Sequence, residues 1–476
     1  MINIGTRREP LWDYFLVDEE STTATLSVNQ PSMLGPVFDF DAPWEGNACV
    51  YPVIIRDGDR YCMYYGGRNW PRFNPERGKL DESKIVVCKL ESYDGINWWR
   101  TAVDRYTVNE CTKNNVVLSH PSEPRSCLSV FIDENPECPP EQRYKGIDRH
   151  EDGCKSFQDG GTLAAYASAD GTYFERIDDI AREGGKFDSL NTVMYNKDEG
   201  QYRIYYRDFM DGKRAVACKT SKDFRSWENK GFIEFDDSEV FQLYTNNIRQ
   251  YPRAPHVYIG FPVRYVERTE WTENYDQLPD REARLGRMHN EAYKRLGLAL
   301  TDSLFMCSRD GMHFKKFNEA FVDSGMERSG TWKYGNNYLS HGYTEDEENI
   351  YLYEIAEEIR EGKPSRLIRY SIRQDGFASF KAPYSGARIV TKPFSFKGDG
   401  LSVNFRTSAA GWIRIRITDK DGRAAESMEI FGNHIDRRVA FDKPISDFSD
   451  REVTMLIEMR DAEIYSFRFF AAESDE

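Results

Sequence analysis

At 476 residues the chain has room for two or three domains, and its formal net charge of −15 comes without any basic stripe. That excludes nucleic acid and anionic membrane as partners, because phosphate recognition needs clustered Lys and Arg. Nine scattered cysteines lack C-x-x-C spacing and seven histidines lack H-x-H or H-E-x-x-H spacing, which argues against a disulfide framework and a locally encoded transition-metal site.

No apolar run reaches the length of a membrane span or a signal core, so the sequence reads as cytoplasmic, with a small imported substrate. Residues 1–35 read as a lead-in that packs on the main domain. Five units then follow over 36–385, each with a phrase in which an Asp turn precedes an aromatic and most with a Tyr-rich strand before it, the second unit being the weakest match. The phrases are Ser92-Tyr93-Asp94-Gly95-Ile96-Asn97-Trp98, Ser168-Ala169-Asp170-Gly171-Thr172-Tyr173-Phe174, Ser221-Lys222-Asp223-Phe224-Arg225-Ser226-Trp227, Ser308-Arg309-Asp310-Gly311-Met312-His313-Phe314 and Arg373-Gln374-Asp375-Gly376-Phe377-Ala378-Ser379-Phe380.

An Asp that bonds the backbone N–H two residues on makes a tight turn, and the aromatic returns to the apolar layer. The aspartates stand 76, 53, 87 and 65 residues apart, the length of a small antiparallel sheet with its loops. The expected fold is all-β: a five-bladed β-propeller over 36–385, followed at 386–476 by an antiparallel β-sandwich.

The charged, helix-prone stretch from Gln277 to Arg295 explains the longest step as an insertion in the fourth unit. In the C-terminal part, Leu401–Phe405, Ile413–Ile417, Val453–Ile457 and Ile464–Phe469 alternate apolar and polar residues as strands do. This part is expected to brace the propeller, a carbohydrate-binding role being the less frequent use.

Several phrases resemble a bacterial group described as family-32-like glycoside hydrolases, related to families 32, 43 and 68. They include Pro43-Trp44-Glu45-Gly46-Asn47, Phe187-Asp188-Ser189, Tyr205-Tyr206-Arg207-Asp208-Phe209, Leu243-Tyr244-Thr245-Asn246 and Gly260-Phe261-Pro262-Val263-Arg264-Tyr265-Val266-Glu267-Arg268. The resemblance implies a propeller with a sandwich behind it and a glycosidase acting through carboxyl groups. One departure stands out. The better-known families carry a catalytic Asp at the head of the first inner strand, where this chain reads Gly46-Asn47-Ala48-Cys49-Val50.

In a propeller the heads of the innermost strands share one funnel. Asn47, Asp188, Tyr244 and Asn337 each stand fourteen residues before a Tyr of the second strand, and so at comparable depth. Glycoside hydrolysis uses one carboxylic acid to protonate the leaving oxygen and one carboxylate as base or nucleophile. Asp188 and Glu45 are the expected pair, with Glu267 as the reserve acid held ionised between arginines. Trp44 is expected to stack on a sugar face, with Asn47, Arg207, Asp208, Tyr244, Asn246, Asn337 and His341 contacting hydroxyls. Glu354, after Tyr353, occupies a strand exit like that of Asp208.

No cofactor or catalytic metal is expected, although a structural Ca²⁺ on Asp and Asn oxygens stays open, as does a homo-oligomer. The nearest alternative is a glycoside phosphorylase, which would need Arg125, Arg207 or Arg253 to gather around phosphate. The other is a carbohydrate-binding propeller without catalysis.

Overall fold

The computed structural model describes residues 1–68, 85–119, 128–150, 161–181, 185–288, 294–356 and 364–471, with the short strands Phe73–Asn74 and Lys79–Leu80. The described chain is mostly β-strand. Its middle part is a run of antiparallel meanders.

The first sheet joins Val50–Asp57, Arg60–Arg68, Ile85–Ser92 and Trp99–Arg100, with Val116–Leu118 added beside Ile85–Ser92. Ser129–Ile132, Tyr144–His150, Thr162–Ser168 and Glu175–Ala181 make the second, and Thr192–Asn196, Gln201–Met210, Lys213–Ser221 and Glu228–Phe232 the third. The fourth unit is divided between a five-stranded and a three-stranded sheet, because its central strand is interrupted after Ala254–Gly260 and resumes at Val263–Val266. Pro262 sits in that gap, and proline has no N–H to give a ladder. The last sheet orders Thr344–Glu345, Asn349–Ala356 and Ser365–Arg373, and its outer strand is Ser32–Phe40 from far upstream.

Tyr-rich second strands such as Arg60–Arg68 are buried at nearly every position, because each sheet is covered on both faces by its neighbours. Four of the Asp phrases are the seams between those neighbours. In them Asp94, Asp170, Asp223 and Asp310 accept the N–H groups two and three residues on at 2.7–3.0 Å, and a Ser two residues back donates its hydroxyl to the same carboxylate at 3.0–3.1 Å.

The glycine after the Asp then presents its carbonyl to the adjacent sheet. The Tyr64 hydroxyl donates to Gly171 at 2.7 Å, Tyr205 to Gly311 at 2.9 Å and Tyr353 to Gly95 at 2.7 Å. The last of these runs from the final sheet back to the first. Beside it, the Ile54 N–H donates to the His341 carbonyl at 2.7 Å and the His341 N–H to the Pro52 carbonyl at 2.9 Å.

The fifth phrase departs from the other four. Asp375 is fully buried and makes no turn bond to the residues after it. It accepts instead from the Tyr251 hydroxyl (2.5 Å), Arg253 Nε (3.0 Å), the Ser466 hydroxyl (2.6 Å), Asn404 Nδ2 (3.2 Å) and Arg8 Nη1 (3.5 Å). These donors come from the N-terminal segment, the fourth unit and the C-terminal sheet. The expected outer turn is therefore an internal ionic anchor between the two halves of the chain.

The C-terminal strands form one ten-stranded hydrogen-bonded sheet, in which the four expected segments merge into two long strands, Gly400–Asp419 and Val453–Phe470. Their register shifts between Thr407 and Trp412, where a side chain on Gly411 would meet the Asp461 carbonyl oxygen at 2.3 Å. The lead-in belongs largely to this sheet. Ile2–Gly5 pairs with Phe394–Phe396, Arg8–Pro10 with Val453–Phe470 and Thr25–Val28 with Ala378–Ala382.

Trp12 leaves that sheet to pack on Tyr251, Phe305 and Phe377 of the repeated units. In and around the stretch expected to be inserted, Gln277 to Arg295, helices cover Glu273–Gln277, Arg281–Met288 and Lys294–Leu298. Among the described residues no disulfide joins the seven cysteines, and no helix is long and apolar enough to cross a membrane.

Candidate functional site

Residues at or near the expected strand heads of several units meet in one cluster, to which Tyr244 belongs. Tyr51 from the first unit, Tyr244 and Tyr265 from the fourth, and Tyr334 and Tyr338 ahead of the last sheet form one cluster of rings, with Leu190 packed among them. Ring centroids lie 5.5 Å apart for Tyr244 and Tyr338, 5.7 Å for Tyr244 and Tyr334, and 6.2 Å for Tyr244 and Tyr265. The Tyr334 hydroxyl donates to the Tyr244 oxygen at 2.6 Å. Tyr51, Tyr244, Tyr265 and Tyr338 are buried and Tyr334 is half-buried, so the rings pack closely on one another.

Arginines line this cluster. Gln201–Met210 and Lys213–Ser221 are joined by the two-residue turn Asp211-Gly212, both at positive φ (51° and 75°), which suits a tight hairpin. The register sets Phe209 opposite Arg214 and Arg207 opposite Val216, so Arg207 and Arg214 are diagonal neighbours on one face. The Arg207 guanidinium lies 5.2 Å from the Tyr244 ring centre, and that of Arg214 lies 5.6 Å from it and 4.4 Å from the Tyr265 ring. Arg295, on the helix Lys294–Leu298, completes the row and donates to the Tyr265 hydroxyl at 3.4 Å.

The field of these groups is felt locally. Burial raises the Tyr244 phenol, but Arg207, the Tyr334 hydroxyl, Arg214 and Arg68 together bring it below its ordinary value. Arg214 is lowered by burial first and then by the like charges of Arg207 and Arg295.

Asp188 stands at this cluster. Its side chain is 22% exposed and forms an ion pair with Arg207, whose own side chain is buried. Glu267, just beyond Val263–Val266, is exposed, and its charge reaches the Tyr265 phenol. The arginines expected to flank it face elsewhere: Arg264 pairs with Asp302, and Arg268 makes no ion pair with Glu267.

Glu45 is not at the cluster. It is fully buried and accepts from the Tyr65 hydroxyl at 2.5 Å, from Arg100 Nε and Nη2 at 3.0 and 2.8 Å, and from the Ala42 N–H at 2.8 Å. Every acceptor position is engaged, so the expected pairing of Glu45 with Asp188 is corrected. Trp44 goes with it: its indole N–H donates to Asn115 Oδ1 at 2.7 Å and its ring packs in the first sheet's core.

Asn246 accepts from the Thr192 hydroxyl at 2.8 Å and the Ile248 N–H at 3.0 Å. Asn337 donates its amide to the Val322 carbonyl at 3.1 Å. Both are buried and hold backbone rather than ligand, which corrects their expected contact with hydroxyls. Asn47 is half-buried, and its N–H donates to the Arg68 carbonyl at 3.1 Å. Asp208 accepts the Phe209 N–H at 2.8 Å and turns toward Lys219. His341 is buried in the seam between the last sheet and the first, where burial and then Arg249 hold it neutral, down at about 3.

Glu354 is buried and raised by that burial, accepting from the Asn337 N–H at 2.5 Å and the Tyr370 hydroxyl at 2.7 Å. Arg253 belongs to the Asp375 anchor, and Arg125 lies outside the described residues. Sequence reading missed Arg214, Arg295, Tyr334 and Tyr338. Arg214 had a signal in the Asp211-Gly212 turn, which folds it back beside Arg207, whereas Arg295 and Tyr334 reach the cluster only through the tertiary fold.

Among the described residues no three His, Cys, Asp or Glu side chains are gathered as a metal would need. A separate groove on the C-terminal sheet is lined by Tyr384, Arg388, Trp412 and Arg460, with the Arg460 guanidinium 4.0 Å from the Tyr384 ring centre.

Compared with family profiles and with curated proteins, the sequence finds no match. Solved structures of similar shape include a glycoside hydrolase (12% identity, covering 72% of this chain and 92% of that one, TM-score 0.45). Another is the family-32 β-fructofuranosidase of Bombyx mori (10%, covering 92% and 94%, TM-score 0.44). A third is the family-93 α-L-arabinofuranosidase of Fusarium graminearum in complex with arabinobiose (11%, covering 72% and 99%, TM-score 0.43).

Proposed function

We propose that the repeated sheets are a five-bladed β-propeller braced by a C-terminal β-sandwich, and that the chain is a glycoside hydrolase acting on a small glycoside or oligosaccharide. The observation that carries this reading is the Asp188–Arg207 pair, partly open to solvent beside a cluster of tyrosine rings. A carboxylate beside a guanidinium stays ionised at neutral pH, which suits the base or nucleophile of glycoside hydrolysis.

Glu267 takes the other role. Among the described residues no cation pairs with it, so its carboxyl group is open to a ligand at the cluster. The tyrosine rings would hold the sugar ring.

The test is hydrolysis of a panel of aryl glycosides, with and without inorganic phosphate, by the native chain and by Asp188→Asn and Glu267→Gln. We expect phosphate-independent turnover, and kcat lower by roughly 10²–10⁴-fold in each variant with KM changed far less. Full activity in a folded Asp188→Asn variant would sink the assignment, and strictly phosphate-dependent turnover would make the protein a phosphorylase.

A further inference from the structure

We infer that Arg214 and Arg295 bind an anionic substituent of the substrate, so that the sugar taken at the tyrosine cluster carries a carboxylate or an ester of phosphate or sulfate. This rests on the proposed placement of the sugar beside Asp188.

The first observation is a contrast among arginines. Many buried and half-buried guanidinium groups elsewhere in the fold have acidic partners: Arg8 and Arg253 share Asp375, Arg100 has Glu45, Arg203 has Glu199, Arg264 has Asp302, and Arg309 has Glu9 and Asp13. Arg284 and Arg373 have none among the described residues, and they donate instead to backbone carbonyls and, for Arg373, to the Asn404 and Asn433 amides. In a chain with a net charge of −15, carboxylates are in ample supply. Yet among the described residues no carboxylate pairs with Arg214 or Arg295. Arg214 donates one Nη to the neutral Gln242 Oε1, and Arg295 reaches only the Tyr265 phenol.

The second observation is crowding. Arg207, Arg214 and Arg295 lie along the same two rings, and Asp188 neutralises only the first of them. Removing an uncompensated guanidinium from water and placing it beside like charges is unfavourable unless an anion joins it. The Nε–H groups of Arg207 and Arg214 are also buried without an acceptor. The lowered Tyr244 phenol reports the same excess of positive charge.

The third observation is direction. Burial falls along the row, from buried Arg207 through half-buried Arg214 to exposed Arg295. A ligand approaching from solvent meets Arg295 first, and its anionic group can settle against Arg214 while its ring lies on the tyrosines. Guanidinium groups suit this task because their forked donors match carboxylate and phosphate oxygens.

The experiment is binding by the full chain carrying Asp188→Asn, so that a failure of hydrolysis cannot be mistaken for a failure of anion recognition. Calorimetric titrations would use galacturonate, glucuronate and mannuronate, each beside its neutral parent sugar, together with inorganic phosphate and sulfate. At least one uronate, or phosphate or sulfate, is expected to bind at least tenfold more tightly than the neutral sugars and to weaken as salt rises.

That preference is expected to fall at least tenfold in Arg214→Met and in Arg295→Met, with neutral-sugar binding unchanged. Arg295 is exposed, so its variant keeps the test valid even if Arg214→Met folds poorly. Preference for a uronate assigns a sugar acid, and preference for phosphate or sulfate assigns an ester. Equal binding of charged and neutral probes, or a preference that survives both substitutions, overturns the inference.

Discussion

Replacing Asp375 by alanine, beside the same change at Asp94, separates two roles that the sequence writes with one phrase. Asp94 is exposed, and its carboxylate holds only the local turn, accepting the Ile96 and Asn97 N–H groups at 2.8 Å each. Water can take over those donors, so Asp94→Ala should cost about 1 kcal/mol. Asp375 is fully buried between Arg253, at 3.0 Å, and Arg8, at 3.5 Å. Alanine there leaves two guanidinium groups and the Tyr251 hydroxyl without their acceptor, and breaking a buried pair in this way costs about 3–5 kcal/mol.

Urea denaturation at neutral pH would read the difference through tryptophan fluorescence. Trp12 donates its indole N–H to the Asp375 carbonyl at 2.9 Å and so reports on this junction directly. With an unchanged slope, the midpoint of Asp375→Ala should fall several times further than that of Asp94→Ala. Equal shifts for the two variants, or a loss below about 1 kcal/mol for Asp375→Ala, would refute the anchor.

Acid should weaken the seam at His341. Its folded value is depressed from 6.5 to about 3, so between those values the unfolded chain takes up a proton that the folded chain does not, and stability falls as pH falls. By pH 5 this is worth about 2 kcal/mol, and denaturation at pH 7.5 and 5 should show a loss smaller by that amount in His341→Gln. Gly342, at φ 90°, leaves no room for a side chain, because a Cβ would meet the Ile54 carbonyl oxygen at 2.1 Å. Gly342→Ala should therefore cost at least about 2 kcal/mol, seen as a lower melting temperature; an unchanged melting temperature would contradict the contact between the last sheet and the first.

The repeated units were legible because each obeys local rules. Alternating tyrosines mark the second strands, and Ser-x-Asp-Gly marks a turn whose bonds are all made within six residues. The fifth phrase carried its own warning: Arg373 stands where the other four have Ser, and the aromatic Phe380 comes one residue late. Glu45 carried none. A Glu between Trp and Gly near a strand head looks open to a ligand, and only Arg100, arriving from 55 residues downstream, shows it to be internal.

By itself, then, the sequence determined the strands, four of the Asp turns, the insertion in the fourth unit and the stretches that hold Asp188 and Tyr244, since each depends on residues near in the chain. Tertiary structure alone decided that Ser32–Phe40 completes the last sheet, that the lead-in pairs with the C-terminal strands, and that Arg214 and Arg295 stand beside Arg207. The physical reason is one of range. Turn bonds and side-chain alternation are set over a few residues, whereas the partner of a charged group is whichever side chain the packed sheets bring to it.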